Sequence, residues 1–126
     1  MSYQECLEKA GATIVAFQQF GSYQGEWWAK VVLPDGRRGW INGAYGSCSG
    51  CDAFESEIGC GEWDDEAMTY KPIPNERLAD FGRRYLDGLM TQGEAIEKAA
   101  ENIKWDTDAE EMVAFLRDNA WTETDA

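Results

Sequence analysis

Glu26-Trp27-Trp28-Ala29-Lys30-Val31-Val32-Leu33, then Pro34-Asp35-Gly36-Arg37-Arg38, then Gly39-Trp40-Ile41-Asn42-Gly43-Ala44-Tyr45 is the stretch on which the fold turns. Its β-branched and aromatic residues suit a pleated surface, so the first and third segments read as strands. Between them Pro presets φ, Asp can close a local turn and Gly accepts φ > 0, which predicts a hairpin at 34–38. Successive strand side chains point to opposite faces, so Trp27 and Trp28 cannot enter the same core. One of the two is exposed, or is covered by a helix or by a partner.

Working outward, Ala12 to Phe17 is β-branched and apolar, and Gly21-Ser22-Tyr23-Gln24-Gly25 is a turn that joins it to the second strand. The three strands then form an antiparallel meander, and residues 3–10 before them suit a short helix. On the other side, Leu78, Phe81, Gly82, Tyr85, Leu86 and Leu89 recur at the spacing of one helical stripe, with Pro72 and Pro74 at its start. Thr91-Gln92-Gly93-Glu94 fits a capping box opening a second helix, whose apolar face holds Ile96, Ala99, Ala100 and Ile103. Thr107-Asp108-Ala109-Glu110 fits another, opening a third with Met112, Val113, Leu116 and Ala120 inward. The expected fold is α+β, a small three-stranded antiparallel sheet packed by C-terminal helices. It forms one domain over 1–126, with 1–46 mainly sheet, 47–70 an acidic Cys-containing turn region and 71–126 helices.

The chain has 126 residues, 44% hydrophobic and 13% aromatic, enough to build a core. Its 24 acids against 11 bases make the net charge −13, and there is no His. The charge repels phosphate backbones, which disfavours direct binding to nucleic acid and favours basic partners. The lack of His removes Ser-His-Asp, Cys-His and His-metal chemistry together. By segment, residues 1–46 carry four acids and four bases, and 71–90 carry three and four. Residues 47–70 carry seven acids and no base, and 91–126 carry ten acids against three bases. The excess therefore lies in two blocks. The start of the chain has neither a basic nor an apolar leader pattern and no stretch approaches the length of a membrane span, so a soluble cytoplasmic protein is expected, without membrane association.

Cys48-Ser49-Gly50-Cys51 within Tyr45–Glu55 is the most distinctive chemical segment. Paired thiolates in a tight turn can hold a metal, so Cys48, Cys51 and Cys60, with Cys6 as a possible fourth, form a candidate zinc site. The ligand set is incomplete, and the same residues also read as a Gly- and Ser-rich turn packing on the sheet or, with a helix over Cys51 to Ile58, as a redox pair. The carboxylates of Asp64-Asp65-Glu66 and of 106–111 suit solvated surface and helix first turns better than a catalytic pair, and no catalytic residue is assigned. The aromatics Phe17, Phe20, Tyr23, Trp27, Trp28, Trp40 and Tyr45 crowd the neutral third. They read either as a sheet packed on both sides or as a shelf, formed by Tyr23, Trp27, Trp28, Trp40 and Tyr45, on which a nucleotide-like ligand could stack and be bound or hydrolysed.

Gly21-Ser22-Tyr23-Gln24-Gly25-x-Trp27 and Tyr45-Gly46-Ser47-Cys48-Ser49-Gly50-Cys51-Asp52-Ala53-Phe54 resemble the motifs of an uncharacterised family of small phage and bacterial proteins, with weaker echoes at Phe81-Gly82-x-x-Tyr85-Leu86 and Trp105-Asp106-x-Asp108-Ala109. The resemblance covers mainly residues 21–58 and imports no chemistry. It implies an origin in which small acidic proteins act by occupying a host protein, as anti-CRISPR and other anti-defence inhibitors do, some by imitating DNA. The leading expectation is thus an acidic interaction protein that occupies a basic surface of a host protein, such as a nucleic-acid-handling one. Its contacts would be Glu62, Asp64, Asp65, Glu66, Glu94, Glu97, Glu101, Glu110 and Glu111. A nucleotide binder or hydrolase and a zinc-stabilised structural protein are the alternatives.

Overall fold

A short helix, α1 (Tyr3–Lys9), leads into strands β1 (Thr13–Gly21), β2 (Gly25–Val32) and β3 (Arg38–Tyr45). A two-residue ribbon of β4 (Trp63–Asp64) and β5 (Thr69–Tyr70) follows, then helices α2 (Asn75–Leu86), α3 (Gln92–Ala100) and α4 (Asp108–Asp118). This is a computed structural model that describes residues 3–21, 25–45, 63–71, 73–101 and 108–121. The first three strands form the expected antiparallel meander in the order β1-β2-β3, and the fold is α+β. At the β2–β3 hairpin Leu33 N donates to the Arg37 carbonyl at 2.8 Å and Gly36 takes φ +93°. Asp35 closes the turn by accepting from Arg37 N at 3.0 Å and from its Nε at 2.7 Å. Those two bonds, backbone first, hold the Asp35 carboxyl below the usual carboxylate range.

The central strand decides the layering. Trp27, Ala29 and Val31 face one way into a core with Tyr3, Cys6 and Leu7 of α1 and Leu78 and Phe81 of α2. Trp28 faces the other way, into a core with Trp40, Phe20, Ala95 and Ala99 of α3 and Met112, Val113 and Leu116 of α4. Both indoles are fully buried, so the sheet is the middle of three layers with a helix pair on each side. On the first face Trp27 stacks on Phe17 at 5.6 Å between ring centroids and meets Tyr3 at 5.4 Å and Tyr85 at 5.2 Å. Its indole lies across Gly43, where a Cβ would come within 2.6 Å of the ring. The Nε1 atoms of Trp27 and Trp28 find no acceptor among the described residues, a cost these cores absorb through apolar burial.

Two boundaries differ from the pattern reading. β1 runs on to Gly21 because Gln18, Gln19 and Phe20 keep register with Trp28, Trp27 and Glu26, although two glutamines interrupt the apolar pattern. The helical stripe ends at Leu86, so Leu89 reaches the same core from beyond the helix, after the turn at Asp87-Gly88. Met90 then exchanges two 2.8 Å backbone bonds with Trp40, closing that edge of β3. The expected short N-terminal helix joins the C-terminal ones in packing against the sheet. Thr107, Ile103, Pro72 and the helix expected over 51–58 lie outside the described residues.

One polar side chain binds the second layer together. Gln92, the first residue of α3, accepts from Trp40 Nε1 at 2.7 Å and from Trp121 N at 3.3 Å. Its amide donates to the Leu116 carbonyl at 2.8 Å. Strand β3, the start of α3 and the end of α4 therefore meet at a single amide.

Two glycines in helices are expected to respond in opposite directions to the same substitution. At Gly82 an added Cβ would collide with the Cys6 carbonyl and the Leu7 backbone, where α2 crosses α1, so Gly82→Ala should destabilise by about 2 kcal/mol or more. At Gly93 nothing lies within 4 Å, and Gly93→Ala should stabilise by up to about 1 kcal/mol through the unfolded chain. Urea denaturation measures both. Equal stability of Gly82→Ala and the wild type would contradict the close helix crossing.

Candidate functional site

The two helix layers differ in charge. α1 and α2 carry Glu5, Glu8, Glu76 and Asp80 against Lys9, Arg77, Arg83 and Arg84, four acids and four bases. α3 and α4 carry Glu94, Glu97, Asp108, Glu110, Glu111 and Asp118 against Lys98 and Arg117, six acids and two bases. Asp87 caps the end of α2 and Glu101 the end of α3, so with their caps the layers stand at five acids against four bases and seven against two. The reason is helical periodicity: Ala95 and Ala99 face Trp28 and Trp40, which turns Glu94, Glu97 and Glu101 to solvent. On α4 Met112, Val113 and Leu116 face inward, and Glu110 and Glu111 are exposed in the first turn, where the helix dipole favours them.

The capping box at the start of α3 is complete. Glu94 N donates to Thr91 Oγ1 at 3.2 Å, and Thr91 N donates to Glu94 Oε1 at 2.9 Å. That backbone bond is the largest of the influences that hold the Glu94 carboxyl below its usual range, with the Thr91 side chain next. Glu94 is therefore half occupied by the helix start, whereas Glu97, Glu101, Glu110 and Glu111 stand on exposed positions.

The second acidic site is the β4–β5 ribbon. Trp63 pairs with Tyr70 and Asp64 with Thr69, and residues 65–68 form the turn. Asp64 Oδ1 accepts from Glu66 N at 3.0 Å and from Ala67 N at 3.2 Å, so this carboxylate builds the turn. Asp65 and Glu66 are exposed. Met68 takes φ +55°, the one non-glycine residue at positive φ among the described residues. The rings of Trp63 and Tyr70 meet edge to face, 5.1 Å between centroids. Trp63 is 49% exposed, Tyr70 51% and Met68 72%, the largest apolar exposure in the described chain together with Val15. Pattern reading singled out the acids and missed these three apolar residues. The signal was their presence inside an acidic, turn-rich run that offers no core.

The other expected sites fall differently. Trp27, Trp28 and Trp40 are fully buried between sheet and helices, so these three of the five rings expected to form a shelf belong to the core and offer no ring face to a ligand. The Tyr45 hydroxyl donates to the Phe20 carbonyl at 2.7 Å, and burial, then Asp108, raises its pKa. The described residues line an open groove of about 380 Å³ beside Pro34, Arg37 and Arg83 and another of about 400 Å³ beside Gln18, Phe115 and Asp118. In the first, Arg37 pairs with Asp35 and Arg83 with Asp80, an arrangement poorly suited to a phosphate. Cys6 is buried, and desolvation, with a smaller push from Glu5, moves its thiol up to about 11. Little thiolate therefore forms at neutral pH, which makes the metal-free Cys6 a poor nucleophile. Cys48, Cys51, Cys60, Tyr23 and Glu62 lie outside the described residues. Among the described residues no three His, Cys, Asp or Glu side chains gather as metal ligands, and no helix is long and apolar enough to cross a membrane.

No protein-family model, curated protein or solved structure matches the chain.

Glu94 supplies a pH test of the helix start. Its folded pKa is depressed, so its contribution to stability is present above the unfolded value and is lost as pH falls through the folded one. Glu94→Gln should melt at a lower temperature than the wild type at pH 7, and the two melting curves should converge in acid, below the usual glutamate range. A gap that persists unchanged in acid would show that the carboxylate is not what supports the cap.

Proposed function

We propose that this chain is an interaction domain that occupies a basic surface of a partner protein, of the kind that nucleic-acid-handling proteins present, and inhibits it by occupancy. The observation that carries this reading is the charge asymmetry across the sheet. One helix layer is balanced, and the other carries six acids against two bases. Solubility alone asks for net charge and is indifferent to which layer bears it. A one-sided field orients the molecule as it approaches a basic surface and raises the association rate. The surface ion pairs at Arg37 and Arg83 use Asp35 and Asp80, carboxylates that stand outside this layer.

Charge density decides how the surface would work. α3 has nine residues, about 13 Å of helix, and with its C-cap presents Glu94, Glu97 and Glu101 beside Lys98. Duplex DNA carries one phosphate charge per roughly 1.7 Å of axis, several times more over the same length. The acidic layer is therefore a complement to a basic protein surface and falls well short of copying DNA phosphate by phosphate. Its affinity would need contacts other than charge.

The test uses charge reversal on the intact chain. Glu97→Lys with Glu101→Lys on α3, and Glu110→Lys with Glu111→Lys on α4, should each weaken retention of a partner captured from host lysate by about tenfold or more, and added salt should do the same to the wild type. Glu8→Lys, on the balanced layer, should leave retention unchanged. Retention indifferent to salt and to both reversals would reject the reading.

A further inference from the structure

The β4–β5 ribbon supplies a contact of another kind, and the inference drawn from it rests on the basic-partner reading above. Trp63, Met68 and Tyr70 belong to neither of the two cores, yet each is about half exposed or more. Apolar exposure gathered in one small element marks an interaction surface more often than scattered exposed side chains do, and Trp and Tyr are the residues most enriched among binding hot spots. The ribbon is also built in advance. Asp64 fixes the turn through Glu66 N and Ala67 N, the two rings brace each other edge to face, and Met68 is held at positive φ at the end of the turn. Preorganised rings lose little freedom on binding.

Charge selects what can cover them. Asp64, Asp65 and Glu66 stand in the same eight residues, and the whole chain is at −13. A second copy, a nucleic acid or an anionic membrane would each bring like charge to these rings. A cationic side chain would bring the opposite charge and could also lie over a ring face. The protein already uses that contact internally: Lys30 Nζ lies 4.5 Å from the Trp121 ring centroid, Arg38 lies 5.3 Å from it, and Arg84 lies 4.7 Å from Phe81. Among the described residues no such cation lies over Trp63 or Tyr70. We propose that the ribbon is the anchor of the interface and that its occupant is a segment of a partner protein in which arginine or lysine alternates with aliphatic residues. The cation would rest on the Trp63 and Tyr70 rings with Asp65 and Glu66 beside it, and the aliphatic side chain would cover Met68.

The probe is a blocked peptide of alternating Arg and Leu, titrated into the full-length, isotope-labelled chain and followed by NMR. Three comparison arms are a peptide of alternating Glu and Leu, a short DNA duplex and phosphatidylcholine vesicles. The Arg-Leu peptide should shift the Trp63 indole and the Thr69 and Tyr70 amides, and Trp63→Ala with Tyr70→Ala should weaken it at least tenfold. Trp63→Phe with Tyr70→Phe, which keeps both ring faces, should retain most of the affinity. Since these side chains lie outside both cores, the variants should melt as the wild type does. The proposal is overturned if the peptide does not bind, if its shifts map elsewhere with affinity unaffected by the double alanine variant, or if only the vesicles, the acidic peptide or DNA move the ribbon. Affinity that survives loss of the rings but falls with Glu97→Lys and Glu101→Lys would remove the anchor and leave the basic-partner reading in place. Affinity that falls with loss of the rings but ignores that reversal would keep the anchor and take α3 out of the interface.

Discussion

Two adjacent indoles on the central strand govern this structure. A strand that carries Trp27 and Trp28 side by side must send one to each face, and each indole is too large and apolar to leave in water without a substantial loss of hydrophobic free energy. A three-stranded sheet can hide one face with one layer of helices; it needs a second layer for the other. The chain meets the requirement by splitting its helices. The N-terminal helix returns with α2 to cover Trp27, and α3 with α4 covers Trp28. Close approach on the first side depends on the bare backbone of Gly43 under the indole and of Gly82 against α1.

The second side has a polar component that joins three elements. Trp40 stands beside Trp28 on that face, and its indole N–H is satisfied by Gln92. The same amide holds the Leu116 carbonyl and the Trp121 backbone, so α4 cannot shift along the sheet without breaking a partly buried bond. Such a bond is worth only about 1 kcal/mol when made, but its loss leaves several polar groups without partners. Lys30, buried on this face, adds its cation to the Trp121 ring. Charge and polarity are thus used inside this layer to set its register, while its outer surface is left acidic.

Much of the fold could be read from the chain, because the governing signals are local. The hairpin at 34–38 follows from Pro, Asp and Gly at their required positions, and the capping box at Thr91 appears with both reciprocal bonds. Strand alternation by itself puts Trp27 and Trp28 on opposite faces. What pattern could not show was which helices would pair. The grouping of α1 with α2 depends on Gly82 meeting Cys6, 76 residues apart in the chain, and the role of Gln92 depends on partners 24 and 52 residues away. Gln18 and Gln19 hid the end of β1 for a similar reason, since their pairing with β2 comes from register and owes nothing to their own pattern.

The candidate site divides along the same line. Exposed carboxylates are legible wherever helical periodicity puts them opposite an apolar stripe, as it does for Glu97 and Glu101. Asp64 is different, because its charge is committed to two backbone N–H groups and it shapes the ribbon from within. Trp63, Met68 and Tyr70 carry no such periodic signal, because a two-residue strand is too short to show alternation and exposure has to be read from the structure. The two cores are already filled by other side chains, and three fully buried tryptophans occupy the positions that a ligand shelf would have required. Once those indoles are spent on folding, the most exposed aromatic side chains of the described chain are Trp63 and Tyr70 of the small ribbon, and they stand among acids. On the proposed reading, a surface of that composition would favour partners that offer apolar area and positive charge together, because either one alone meets only half of it.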